Sequence, residues 1–157
     1  MQRASSALRS AARRWQHLSD EITKLDTAIA SITATTARDL LDQVGVGPNV
    51  AAALLIAAGE NTNRLRDEAS FASLCAVNPL PVSSGKTRRH RLNRGGDRQA
   101  NAALHTVAVT RGRFDPRTHD YVVRRTAQGL SKREIMRCLK RYIARDLYPR
   151  ILASQAD

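Results

Sequence analysis

The sequence predicts an all-α protein: an N-terminal coiled-coil-like helical arm over residues 1–36, then a compact helical domain over residues 37–157 with a helix-hairpin-helix and a long basic loop. Two observations carry this reading. Apolar residues recur at helical spacing along most of the chain. The 157 residues are 42% hydrophobic but only 4% aromatic, with eight Gly and five Pro, so the core is aliphatic and helix breakers are few. That length suits one domain with a helical appendage.

In the arm, Leu8, Ala11, Trp15, Leu18, Ile22, Leu25, Ile29 and Ile32 alternate in steps of three and four, the a/d seam of a coiled coil. Such a stripe needs a partner. A second chain or another domain would make it a dimerisation or docking arm, and its own domain would make it a long amphipathic helix lying on the core. Residues 37–60 follow. Leu40, Leu41 and Val44 close one helix, Gly45-Val46-Gly47 makes a tight turn, and Pro48 opens the next helix where its missing N–H is harmless. Ala52, Leu55, Ile56 and Gly59 continue at helical spacing. The arrangement resembles a helix-hairpin-helix, in which Gly45 and Gly47 would let the backbone approach a phosphate. A plain helical hairpin fits the same residues.

A short helix is expected over 70–77. Residues 78–97, NPLPVSSGKTRRHRLNRGGD, are the least regular stretch, with Pro79 and Pro81 stopping helix formation and Gly85, Gly95 and Gly96 loosening the backbone. Lys86, Arg88, Arg89, Arg91, Arg94 and Arg98 crowd into it and its immediate flank. A loop of about twenty residues inside a domain is either functional or a disordered arm. Val82, Leu92 and the prolines offer anchors for an ordered one. Three helices come next. Asp97 caps the first, with Ala100, Ala103, Leu104, Val107 and Ala108 as its inner stripe. Asp115 and Pro116 start the second, where Tyr121 and Val122 face inward. Ser131 and Glu134 form a capping box for the third. There Ile135, Leu139, Tyr142, Ile143 and Leu147 face the core, and Lys132, Arg133, Arg137, Lys140, Arg141 and Arg145 take the other side. Pro149 is expected just beyond the helix end.

Charge is segregated. Residues 1–70 hold eight basic and eight acidic residues, whereas residues 71–157 hold 18 basic and six acidic, which accounts for the whole formal charge of +12. Of the 26 basic residues 22 are Arg, whose planar fork pairs bidentately with phosphate oxygens. Nucleic acid is therefore the expected partner. A membrane is not, because no apolar run reaches spanning length. Cys75 and Cys138 read as small buried hydrophobes. The basic, Ser-rich start superficially resembles a presequence, but its apolar positions continue the heptad, and a cytoplasmic location is the expectation.

Several chemistries are disfavoured. Ser84-Gly85-Lys86-Thr87 ends like a P-loop, yet Leu80 stands where the motif needs its first glycine. His17, His90, His105 and His119 do not pair with each other or with the cysteines at metal-ligand spacing. His90, among arginines, suits a phosphate contact, and His105 reads as a helix residue at the core edge. The acids of the basic half include helix caps and form no cluster able to hold Mg²⁺. Ser83 and Ser84 remain. As residue types they serve most often as turn residues or phosphate hydrogen-bond donors, but neighbouring guanidiniums would suit attack on a phosphodiester.

At these residues a family resemblance emerges. From Asp42 to about Leu152 the chain resembles the C-terminal domain of insertion-sequence 110/116/902 transposases, the bridge-RNA-guided serine recombinases. The resembling blocks are the GVGP turn, NPLPVSSGKTRRHRLNRGGDRQANAALH, and FDPRTHDYVVRRTAQGLSKREIMRCLKRYIARDLY. The resemblance implies that Ser84, directly before the glycine, is a nucleophile forming a phosphoserine link to DNA, with Ser83 as runner-up. It also implies a homo-oligomer, dimer or tetramer, joined through the heptad arm, and a structured guide RNA. Family members begin with a resolvase-like domain whose carboxylates bind Mg²⁺. Met1 falls within what would be the linking helices, so Mg²⁺ is expected only in that other domain, with no cofactor in this chain. DNA binding without strand transfer is the expectation for the chain alone. The alternatives are a non-catalytic module that binds nucleic acid or regulates a full-length transposase by mixed oligomerisation, and a basic structural protein of ribosomal or nucleoid type.

Overall fold

The computed structural model describes residues 2–59, 65–84 and 87–155. Its elements run α1 (Gln2–Thr36), α2 (Arg38–Leu41), α3 (Pro48–Gly59), α4 (Glu68–Leu74), β1 (Pro79–Ser84), β2 (Thr87–Leu92), α5 (Arg98–Phe114), α6 (Pro116–Ala127) and α7 (Lys132–Ala153). Among the described residues the fold is all-α apart from one antiparallel hairpin.

Helices α3, α4, α5 and α7 enclose the core, where Leu54, Phe71, Leu104, Val107, Leu147 and Ile151 are fully buried. The inner stripe expected on α5 is buried throughout, as are Ile135, Leu139, Ile143 and Leu147 on α7. Tyr142 departs from expectation and is 54% exposed. On α3 the buried face is Ala51, Leu54, Ala57 and Ala58, while Ile56 is turned to solvent. A helix made almost wholly of apolar residues has no polar stripe to fix its inner side, so packing decides.

Three N-caps form as expected. Asp97 accepts from the Ala100 amide, Asp115 from Thr118, and Ser131 with Glu134 closes a reciprocal capping box. A fourth cap, Asp67 accepting from the Ser70 amide, starts α4 at Glu68 instead of Ser70. The same helix stops at Leu74, short of Val77. Its end is a Schellman turn, with Val77 N–H donating to the Ala72 carbonyl and Ala76 N–H to Ser73. Ala76 takes the left-handed position at φ 55°, where glycine is usual. Pro149 lies inside α7, not beyond it. Buried Tyr148 and Ile151 on either side hold that last turn against the core despite the missing N–H.

The arm is one helix. Leu8, Trp15, Leu18, Ile22, Leu25 and Ile32 stand exposed, so the stripe does not lie on the body of the same chain. Only the C-terminal end docks, through buried Thr33 and an Asp26–Asn49 side-chain hydrogen bond of 3.0 Å.

The 45–47 turn is pinned from α5. Arg111 donates to the Val44 carbonyl at 2.9 Å and pairs with Asp146 of α7 at 2.9 Å. Gly45, at φ +85°, lies so close to α5 that a Cβ would meet Thr110 at 3.1 Å.

The long basic loop is the main correction. Most of residues 79–92 form a hairpin, paired Pro79↔Leu92, Pro81↔His90, Val82↔Arg89, Ser83↔Arg88 and Ser84↔Thr87. The prolines argue against helix but are tolerated in a two-stranded ribbon, where each strand has an edge that needs no donor.

Candidate nucleic-acid interface

The hairpin is fastened to the body at its base by the Asn93 side chain and by one backbone contact. Asn93 donates to the Ser73 carbonyl at 3.1 Å and to the Asn78 side chain at 2.8 Å, bridging the two strand ends. Gly95 N–H returns to Asn93 Oδ1 at 2.9 Å, and Asp97 N–H donates to the Leu74 carbonyl at 2.6 Å. Gly96 therefore does the opposite of loosening the backbone. A Cβ there would stand 2.5 Å from both Ala76 N and Leu74 O, a space only glycine leaves free.

Between this base, the start of α5 and the middle of α7 lies a cleft of about 760 Å³. Arg91, Arg94, Arg98, Arg137, Lys140 and Arg141 all line it. Residues more than forty positions apart in sequence thus meet at one concavity. Among the described residues its single acidic lining residue is Asp97, already engaged as the cap of α5. His90 and His105 stand exposed on the walls. His105 is thus a cleft residue, not one at the edge of the core. Cations gathered with so little counter-charge make a favourable place for an anion.

Not all six cations are equally free. Arg141 reaches Glu68 at 3.4 Å, and Arg145, outside the lining, pairs with the same carboxylate at 2.8 Å. Lys140 Nζ donates to Asn101 Oδ1 at 2.8 Å, while Asn101 Nδ2 donates to the Cys75 carbonyl at 2.8 Å. Burial holds the Lys140 ammonium below its ordinary pKa. It is thus a fixed charge tied to the hairpin anchor. Arg91, Arg94, Arg98 and Arg137 are exposed.

The remaining predicted residues lie elsewhere. Lys132 and Arg133 are exposed in the first turn of α7 and do not line the cleft. Gly45 faces α5, whereas Gly47 has open space around it. Lys86 and Gly85 are outside the described residues. For Ser83, Ser84, Arg88 and Arg89 the backbone is described and the side chains are not. Ser84 ends β1, and at about 3.3 Å per residue it stands roughly 17 Å from Pro79 on the cleft wall. The predicted cluster is therefore divided: Arg88 and Arg89 belong to the distal strand pairs, and Arg91, Arg94 and Arg98 to the base.

Sequence reading missed Asn93, Asn101, Gly96 and Tyr142. Asn93, two residues before Gly95-Gly96, was the available signal for an anchored strand end, while nothing local distinguishes Tyr142 from a core aromatic. Cys75 is buried, and burial followed by the nearby Asp97 pushes its thiol up to about 12, so it is inert. Cys138 is only half-buried, short of the expected core position. Among the described residues no group of His, Cys, Asp and Glu could hold a metal ion, and no helix is long and apolar enough to cross a membrane.

An all-α body that carries a basic ribbon beside a cationic cleft defines the class. The sequence pattern of the Transposase IS116/IS110/IS902 family matches residues 37–123, more than half of the chain, and the protein belongs to that family. The match takes in the 45–47 turn, the hairpin, α5 and part of α6. No curated protein matches the chain.

Proposed function

We propose that this transposase-family chain grips the sugar-phosphate backbone of DNA along the hairpin and its base, and that Ser84 attacks a phosphodiester. The convergence of Arg91, Arg94, Arg98, Arg137, Lys140 and Arg141 on one cleft, with Asp97 the one acid among its described lining residues, carries the binding half of this reading. Lys132 and Arg133 support it differently. Cations in the first turn of a helix oppose its dipole, so their position is better explained by a phosphate than by the helix itself. Gly47 and the start of α3 supply a further approach for a phosphate.

The chemical half rests on the SSG motif at the end of β1 and its likeness to the family's nucleophile. Arg88, paired across the ribbon with Ser83, and Arg89 would neutralise the phosphate, and Lys86, close by in sequence, would add a further charge. A bond forms from Ser84 Oγ to phosphorus while the bond from phosphorus to one sugar oxygen breaks. The hydroxyl proton passes to water or to a base on the resolvase-like domain, and the departing sugar oxygen takes up a proton. Mg²⁺ would be held by carboxylates of the resolvase-like domain, as the family resemblance implies, and would supply charge stabilisation at the phosphate from there. The chain, a resolvase-like domain of the family, its guide RNA and a DNA substrate should together yield a protein–DNA adduct on a denaturing gel. Ser84→Ala should abolish that adduct and Ser83→Ala should leave it. An adduct that survives Ser84→Ala overturns the assignment.

The exposed stripe of α1 favours a second reading, a homo-oligomer or a non-catalytic module that regulates a full-length transposase through mixed pairing. Co-purification with the full-length enzyme and reduced transposition would support regulation. Absence of any mixed complex ends it.

A further inference from the structure

We infer that the cleft at the hairpin base takes an unpaired nucleotide, seating its base against Tyr142 while the surrounding arginines hold its phosphates. This rests on the nucleic-acid reading above and deepens it. Phosphate contacts alone need no concavity, because guanidiniums on an open surface meet a hydrated anion equally well. The cleft, however, has an apolar side. Val77, Leu92, Ala102 and Cys138 line it together with the ring of Tyr142. An apolar hollow of about 760 Å³ rimmed by cations fits a group that is flat and apolar on its faces and anionic at one end. An unstacked nucleotide is such a group, and a paired base inside a duplex cannot present its face.

Tyr142 is the natural platform. It shares its helix with the buried Leu139 and Ile143 yet is 54% exposed. Tyr121 meets its ring edge-on, with centroids 5.7 Å apart and planes at 83°, so the ring is braced without being covered. Leu92, 53% exposed and lining the same cleft, supplies a second apolar side chain to cover a base. His90 and His105 offer ring nitrogens to its edge. Asn101 does not take part, since its amide is committed to Cys75 and Lys140. The base of the ribbon, where Pro79 pairs with Leu92, lies roughly 17 Å along the extended strand from Ser84. A nucleotide held there would fix the register of the strand that passes the serine.

The test is binding of the 157-residue chain to labelled single-stranded DNA, single-stranded RNA and blunt duplex DNA of equal length at matched salt. A 2-aminopurine in each single strand reports stacking. Single strands should bind more tightly than duplex, with quenching of the 2-aminopurine. Tyr142→Ala should weaken single-strand binding roughly ten-fold and abolish the quench while changing duplex binding less than two-fold. Tyr142→Phe should retain both. Leu92→Ser, at an exposed position outside the core, should weaken single strands in the same selective way. The stronger of the DNA and RNA arms identifies the source of the nucleotide. Equal binding of single strand and duplex, with Tyr142→Ala and Leu92→Ser affecting neither selectively, overturns the inference and leaves the phosphate reading standing. Absence of salt-dependent binding to any of the three overturns both.

Discussion

Gly96 and Ala76 approach so closely that a Cβ on the glycine would sit 2.5 Å from the alanine's backbone nitrogen. Backbone, unlike a flexible side chain, cannot swing aside. Gly96→Ala is expected to cost about 2 kcal/mol or more in urea denaturation, a typical overpacking value. It should also weaken nucleic-acid binding, because the displaced segment carries Arg94 and Arg98. A variant of unchanged stability would show that the hairpin base yields.

Arg111 joins three elements through Val44 and Asp146. Its guanidinium is largely buried, but Asp146 is 42% exposed and keeps Arg150 as a second partner. The loss should therefore fall below that of a fully buried pair. Arg111→Ala is expected to destabilise by about 1–2 kcal/mol, with Arg111→Lys in between, measured by chemical denaturation.

Acid should unfold the protein partly through its helix caps. Hydrogen bonds from the Thr118 hydroxyl and amide hold the Asp115 carboxyl below the usual carboxylate range, and Ser131 does the same for Glu134. A group with a lowered folded pKa contributes stability that is present above its unfolded value and lost as pH falls through the folded one. Thermal midpoints should hold level through neutrality and decline below about pH 4. Asp115→Ala should lower stability at pH 7 by about 1 kcal/mol and make the acid decline shallower.

If the cleft grips phosphates, each lost contact reduces the steepness of salt dependence. Arg94→Ala or Arg137→Ala should weaken binding to duplexes of any sequence alike. Each should reduce the slope of log K against log salt by about 0.9. Lys132→Ala should do the same if the start of α7 takes part. Anisotropy titrations over a salt series read this directly.

The uncovered stripe of α1 predicts self-association. Sedimentation should show a dimer or larger species, and Ile22→Asp, at an exposed position, should shift it to monomer without lowering the melting temperature of the body. A chain that is monomeric at every concentration would leave the heptad without a partner of its own kind.

What could be read from the sequence was set by local chemistry. The caps at Asp97, Asp115 and Ser131 are contacts between residues three apart, and the stripe on α5 alternates clearly with polar positions. Both were legible. The inner face of α3 was not, since its residues are almost uniformly apolar and only packing against α5, α1 and α7 selects which of them are buried. The hairpin was hidden because arginine and proline carry little strand signal. Its pairing depends on Asn93 reaching Ser73 and Asn78, contacts that exist only after the chain has folded back. The cleft was half legible. Arg91, Arg94 and Arg98 announced themselves as a run, but their meeting with Arg137, Lys140 and Arg141 follows from the packing of α5 on α7.

Pro79 and Pro81 occupy alternate positions of β1 and bring no backbone donor to it. Neighbours two apart in a strand direct their nitrogens to the same side, so the side of β1 that carries them offers a new strand nothing to accept there. Two-stranded arms in solvent are prone to recruiting further strands and coalescing into fibrils. Here that route is blocked on one flank by covalent structure, and the arginines of β2 repel a like copy on the other. The ribbon is therefore built against adding a third strand along its proline-bearing flank.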